Sequence, residues 1–281
     1  MKIFLAGAYQ GSANRDMERV NRLIKWRLMS YFYKNTIKAE WWKRHEGVFQ
    51  EIMVDSGAHT FHAVAGKAGA SNQTAKKTKA PDPIQYTHDY CKWLQDYKDK
   101  CTYIELDVAK VYGWPLQVHL REIFDAYNLD PLYVWHPTNN ETLEEVCGKK
   151  DFIGIGSSYN KNAKILSKIL AVCEKHQTRV HVFGYTGLEN LKALVHHPAV
   201  YSVDSSSWSA GVRFGVCYVY ERGVLSMYSK NTFPKRFGKM FNKTSNTNLL
   251  LWNASQWQRY ADYLYKISPK TEWNSSPSVF P

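Results

Sequence analysis

The chain has 281 residues, of which 44% are hydrophobic and 15% aromatic. That is enough apolar material for a core, so wholesale disorder is excluded, and the length suits one large domain or two small ones. Lysine and arginine total 37 against 25 acidic residues, a formal net charge of +12, which points to a polyanionic partner unless the surface is simply basic.

The first apolar run, Lys2–Ala6 (KIFLA), is too short for a secretory segment and reads as a strand. Met17–Tyr31 carries Val20, Leu23, Ile24 and Leu28 at helical spacing. Glu51–Asp55 (EIMVD) is a second strand. Residues 66–83 (GKAGASNQTAKKTKAPDP) are small, polar and basic without an apolar period, and read as a mobile insertion.

Beyond it, predicted helices Ile84–Tyr97, Pro115–Tyr127, Glu141–Val146, Ala163–Lys175 and Leu188–Val195 alternate with predicted strands. The strands are Thr102–Val108 (TYIELDV), Leu132–His136 (LYVWH), Asp151–Gly156 (DFIGIG), Arg179–Tyr185 (RVHVFGY) and Val200–Ser205 (VYSVDS). Pro83 and Pro115 suit first-turn positions. An eighth strand is expected from Val216–Tyr220 or Val224–Tyr228, around a turn at residues 221–223. Residues 230–281 form a basic and aromatic C-terminal extension, with a helix near Ser255–Ile267 and a frayed Ser/Pro-rich tail.

Strand alternating with helix predicts an α/β fold, and continuous apolar runs suit parallel strands buried on both faces. A closed (β/α)8 TIM-like barrel and an open doubly wound sheet both fit. GAYQGS after the first strand resembles GxGxxG only loosely, so the barrel is favoured, as a single catalytic domain spanning 1–281. The cysteines at 91, 101, 147, 173 and 217 are odd in number, with no CxxC. Neither a zinc knuckle nor a redox pair is visible, and reduced thiols in a cytoplasm fit best. No membrane span, metal or cofactor is expected.

In a β/α barrel the active site lies at the C-terminal ends of the strands. The strand assignments bring Asp55, Asp107, His136, Gly154, Gly156, Ser157, Gly184 and Asp204 to that rim. Each carboxylate has a plainer reading. Asp55 would make a turn with Ser56 and Gly57, Asp107 would pair with Lys110, and Asp204 would cap a short helix. Three together repel one another, which favours function.

VDSGAHTF around Asp55 resembles the Asp-Ser-Gly-Gly-Phe-Gln segment of the tRNA-guanine transglycosylases. Asp107 then ends the next strand, where that family keeps a base-recognising aspartate. FIGIGS (Phe152–Ser157) is similar to its glycine-rich strand, HVFGYTGLENL (His181–Leu191) to its next strand and helix, and YSVDSSSW (Tyr201–Trp208) brings Asp204 to its nucleophile's position. The resemblance covers Asp55 to Trp208, and DSGAHT with SVDSSSW is most similar to the phage and bacterial branch that inserts 7-deazaguanine bases into DNA.

The resemblance implies a base exchange through a covalent aspartyl-glycosyl intermediate, the two-displacement logic of a carboxylate nucleophile. Asp204 would attack C1′. Asp55 would assist guanine's departure and take the N9 proton of the incoming base. Asp107 would read the guanine edge, with Ser56, Gly57, His136, Gly154, Gly156, Ser157 and Gly184 around the base. The tRNA enzymes also carry a zinc site of close cysteines and a histidine after the nucleophile strand. Here only Cys217 lies in that region, and Ala58-His59-Thr60 replaces Gly-Phe-Gln. Both departures favour DNA over tRNA as partner, beside a free 7-deazaguanine base, in the cytoplasm or, for a phage protein, the host cytoplasm.

Other residues carry less. His136 is as readily a structural histidine. His59 and His62 are too few for a metal. Ser205–Ser207 lack a GxSxG frame and a histidine partner. Tyr159 and Tyr185 stack on a base or simply pack. Phosphate contacts are expected from Lys76, Lys77 and Lys79 in the insertion, from Arg213, and from Lys230, Lys235, Arg236, Lys239 and Lys243. The last group interleaves with Phe233, Phe237 and Phe241, spaced as on an amphipathic helix. A paired base would have to flip, or the substrate be single-stranded. The competing readings are a tRNA-guanine transglycosylase, a hydrolytic N-glycosidase, a non-catalytic nucleic-acid-binding module, and a barrel lyase or phosphohydrolase acting on an acidic metabolite.

Overall fold

A computed structural model describes residues 1–7, 15–36, 47–59, 61, 81–156, 162–185, 187–229, 232 and 246–274. Eight strands form one sheet: β1 (Lys2–Leu5), β2 (Trp26–Ser30), β3 (Glu51–Asp55), β4 (Thr102–Tyr103), β5 (Tyr133–Trp135), β6 (Phe152–Ile155), β7 (Arg179–Val182) and β8 (Val200–Ser205). Their order is β4-β3-β2-β1-β8-β7-β6-β5, and every pair is parallel. The sheet curls until its edges touch. Ile104 bridges Leu132 in parallel, Leu132 N–H donates to Tyr103 O (2.8 Å), and Glu105 N–H donates to Leu132 O (3.1 Å). One bridge rather than a full ladder joins β4 to β5, so the sheet is barrel-like but not fully closed.

The described helices are α1 (Arg15–Leu23), α2 (Pro83–Leu94), α3 (Ala109–Tyr112), α4 (Trp114–Ala126), α5 (Leu143–Lys149), α6 (Ala163–Lys175), α7 (Leu188–Leu194), α8 (Ser207–Phe214) and α9 (Asn246–Ile267). Their starts follow local chemistry. Asp82 accepts from Ile84 N–H with Pro83 in the first turn, Thr142 and Glu145 make a capping box, and Asn162 accepts from Lys164 and Ile165 N–H. The Thr142 cap explains why α5 starts at Leu143 rather than Glu141.

Two expectations are corrected. The predicted helix Met17–Tyr31 stops at Leu23, and Trp26–Ser30 is a strand whose five residues are all buried. A strand covered on both faces has no two-residue alternation, so the spacing of Leu23, Ile24 and Leu28 mimicked a continuing helix. With β2 in the sheet, the eighth place is filled. Val216–Tyr220 and Val224–Tyr228 instead pair with each other, as the antiparallel hairpin β9 (Val216–Glu221) and β10 (Val224–Ser229). Arg222 (φ 50°) and Gly223 (φ 81°) supply the two positive φ angles that a tight hairpin turn requires.

The C-terminal helix is also longer than expected, starting at Asn246. It covers the outer edge of the hairpin. Asn253 accepts from Tyr218 N–H (3.0 Å) and donates to Val216 O (3.0 Å), and Gln256 accepts from Tyr220 N–H (3.0 Å). Backbone groups that an edge strand leaves open are thus satisfied by side chains. Among the described residues no helix is long and apolar enough to cross a membrane.

Candidate active site

Strand ends place the acids. Asp55 closes β3, Asp204 is next to last in β8, and His136 follows β5 directly. The strand expected over Thr102–Val108 stops at Tyr103 with one bridge at Ile104, so Asp107 stands four residues past β4 in the loop that leads to α3. The partly buried Asp55 carboxyl is pushed up to about 6, first by desolvation. The Gly57 N–H and His59 pull it down, while the charges of Asp204 and Asp107 push it further up. The Asp55 carboxyl therefore feels both other acids at this end of the sheet.

Each acid has its own support. Asp204 Oδ1 accepts the Gly184 N–H at 2.6 Å, from a backbone turn with φ 61°. His181 Nε2 lies 3.4 Å from the same oxygen, and its Nδ1 is 2.8 Å from Ser202 Oγ. Asp107 Oδ2 is 2.7 Å from His136 Nε2, so its partner is this histidine rather than Lys110. The turn after β3 is braced from below. Ser56 is fully buried, its hydroxyl donates to Glu105 O (2.8 Å), and its carbonyl accepts from Tyr86 Oη (2.7 Å). Gly57 has φ +94° and would bring a Cβ to 2.7 Å from Phe32 Cβ, so glycine is required there.

The glycine-rich strand has a job other than the expected one. A Cβ on Gly156 would overlap the His136 ring, and one on Gly154 would overlap Phe183 and come within 2.8 Å of Leu132 Cδ2. The space these glycines open is filled by protein. Gly156, just past β6, leaves the room that the His136 ring occupies where it meets Asp107.

Tyr185 is buried, and burial raises its hydroxyl. Ser205 is buried and accepts from Ser207 N–H (3.2 Å), which caps the start of α8. Trp208 donates its indole N–H to Ala6 O (2.6 Å), pinning that helix to β1. Cys217 is buried, with its thiol pushed up to about 12. No group of three or more His, Cys, Asp or Glu able to hold a metal exists among the described residues.

Two residues escaped sequence reasoning. His181 is completely buried in β7, with Phe4 and Phe183 at its ring edges. The signal was available: Ser202 and Asp204 stand two apart in an apolar strand, hence on one face, opposite a histidine in the neighbouring run. Arg27 in β2 is also buried. It donates to Leu5 O (3.2 Å), faces the Trp208 ring at 5.8 Å, and is lowered by desolvation to about 10. Nothing in the helical reading of that segment pointed to it.

His62, Ser157, Tyr159, Lys76, Lys77, Lys79, Lys230, Lys235, Arg236, Lys239 and Lys243, with Phe233, Phe237 and Phe241, lie outside the described residues. Arg213 falls within α8, beyond the described side chains. Comparisons with family models, curated proteins and solved structures return no match to this chain, so the reading of the rim rests on its own residues and geometry.

Proposed function

We propose that this rim is the active site of a base-exchange glycosyltransferase that replaces guanine in DNA with a 7-deazaguanine derivative. The single observation that supports it best is the electrostatic grouping of Asp55, Asp107 and Asp204 at one barrel mouth, with one carboxyl raised to about 6. A nearby pair of an ionised nucleophile and a proton-holding acid is what cleavage at an anomeric carbon needs. The cyclic strand order and the Ile104–Leu132 bridge support reading the scaffold as a (β/α)8 barrel, which keeps its chemistry at this end. The five cysteines are all free, consistent with work in a reducing cytoplasm.

In the first step an Asp204 oxygen bonds to C1′ as the C1′–N9 bond breaks. The departing base takes the bond's electron pair and the Asp55 proton. The incoming base then gives its N9 proton to Asp55 and displaces the Asp204 ester, so configuration at C1′ is retained. Asp107, aligned by His136, accepts hydrogen bonds from the base edge. Because departure needs protonated Asp55, adduct formation slows as pH rises through about 6. The basic insertion and C-terminal extension supply phosphate contacts, and binding weakens steeply with salt.

The test is transfer of label. The protein is incubated with labelled guanine or labelled 7-deazaguanines and with DNA or tRNA. Label entering DNA supports the reading. Label entering only tRNA reassigns the polymer, free abasic sugar means hydrolysis, and no transfer from any base to either polymer overturns exchange.

A further inference from the structure

His181 is a buried polar group at the rim that the exchange mechanism leaves without a task. It is 0% exposed, and its Nε2 makes no hydrogen bond among the described residues, although Asp204 Oδ1 lies 3.4 Å away. A buried ring nitrogen without a partner is costly and calls for a reason. The neighbour at the other nitrogen supplies one. Ser202, also fully buried, sits directly opposite His181 in the β7–β8 register, with its hydroxyl 2.8 Å from Nδ1.

The tautomer follows from repulsion. Were Nδ1 to carry the proton, the Nε2 lone pair would face the lone pairs of a carboxylate in a dry environment. When the Ser202 hydroxyl donates to Nδ1 instead, Nε2 carries the proton and faces Asp204 Oδ1 across 3.4 Å, an electrostatic contact rather than a formed hydrogen bond. The Gly184 N–H already donates to the same atom, Oδ1, at 2.6 Å. The same oxygen thus has one bonded donor at 2.6 Å and the His181 Nε2 beside it at 3.4 Å, so closing that second gap would give it two donors.

We propose that His181 is a positioning residue for Asp204: Ser202 sets its tautomer, and with the Gly184 N–H it clamps Oδ1, leaving Oδ2 as the oxygen that attacks. This rests on Asp204 being the nucleophile. Oδ2 forms the bond to C1′ while the C1′–N9 pair leaves with guanine and the Asp55 proton. Oδ1 becomes the ester carbonyl oxygen, held by two donors. When the incoming base displaces C1′, the bond pair returns to Oδ2 and the clamp spreads the recovered charge over both oxygens. The clamp acts as an oxyanion hole does, through donors fixed before charge arrives.

The experiment has two arms. In the first, adduct formation and base exchange are followed in wild type, His181→Phe, His181→Gln and Ser202→Ala. The expected result is a loss of about 100-fold in turnover for His181→Phe, with KM for DNA unchanged, and recovery to within about 10-fold for His181→Gln, whose amide N–H reaches toward the same oxygen. If His181→Phe fails to fold, Ser202→Ala carries the comparison, with a smaller loss. In the second arm, ring ¹⁵N spectra, assigned by the signal lost in His181→Gln, report the tautomer. The expected form carries its proton on Nε2 in wild type and becomes mixed in Ser202→Ala.

A His181→Phe enzyme as fast as wild type, or a wild-type ring protonated on Nδ1 alone, overturns the clamp while the nucleophile reading stands. A wild type that forms no adduct at Asp204 overturns that reading and the clamp with it. The two failures are told apart by adduct mapping on the wild type, which keeps the Asp204 adduct in the first case and lacks it in the second.

Discussion

The two ends of the barrel-like sheet treat their charges in opposite ways. At the N-terminal ends of the strands, Glu51 meets Lys2 and the Tyr201 hydroxyl, and Asp151 meets Arg179. On the flank, Arg121 bridges Glu105 and Glu141, and Lys149 adds a second contact to Glu141. Burial pulls the Arg121 guanidinium down, yet hydrogen bonds and charges from both glutamates hold it above its ordinary value. At the C-terminal rim Asp55, Asp107 and Asp204 meet histidines and backbone N–H groups, and no lysine or arginine pairs with them among the described residues. Matched charges belong to the part of a barrel that provides stability. Carboxylates left without a cation at the other end are what the proposed function requires there.

That contrast makes predictions of graded size. The largest concerns the rim: Asp204→Asn should lower turnover by about 10⁴-fold or more in a single-turnover exchange assay, while urea unfolding shows stability equal to or above wild type. A loss of stability would mean that Asp204 is matched after all. On the flank the sign reverses. Arg121→Ala leaves Glu105 buried without its cation and Glu141 with Lys149 alone, and should cost about 3–5 kcal/mol in denaturant unfolding. Gly156→Ala should cost about 1–3 kcal/mol, because the new methyl overlaps the His136 ring, and it should weaken base recognition by displacing His136 from Asp107.

The smallest effect is a gain. The folded pKa of Asp55 is raised from 3.8 to about 6, so the native state binds more protons than the unfolded chain between those values. Stability therefore falls as pH rises from about 4 to about 6, and the ionised carboxylate remains a burden above that. Asp55→Asn should accordingly stabilise the protein by about 1–2 kcal/mol at pH 7, a figure reduced for its partial exposure, and by almost nothing at pH 4. Equal effects at both pH values would show that the charge is not the cause.

Much of the fold was legible because the chemistry was local. Asp55, Asp107 and Asp204 each end an apolar run, and strand ends in an alternating β/α chain share a rim, so three residues far apart in sequence could be grouped. β2 was not legible. Its five buried residues include Arg27, and a charged side chain among apolar ones at near-helical spacing reads as an amphipathic helix. The hairpin was recognisable from Arg222-Gly223, but its exclusion from the barrel depended on β2 having taken the place. At the site, His181 needed the β7–β8 register to meet Ser202 and Asp204. The glycines at 154 and 156 needed to be seen beside Phe183 and His136 before their role was plain.

The most direct measurement of the central claim is peptide mapping of a trapped protein–DNA adduct. The protein is mixed with guanine-containing DNA without incoming base, denatured in acid, digested, and analysed by mass spectrometry. The expected result is a deoxyribosyl adduct on the peptide containing Asp204, lost in Asp204→Asn and retained in Asp107→Asn. An adduct on any other residue, or one that persists in Asp204→Asn, would contradict the account.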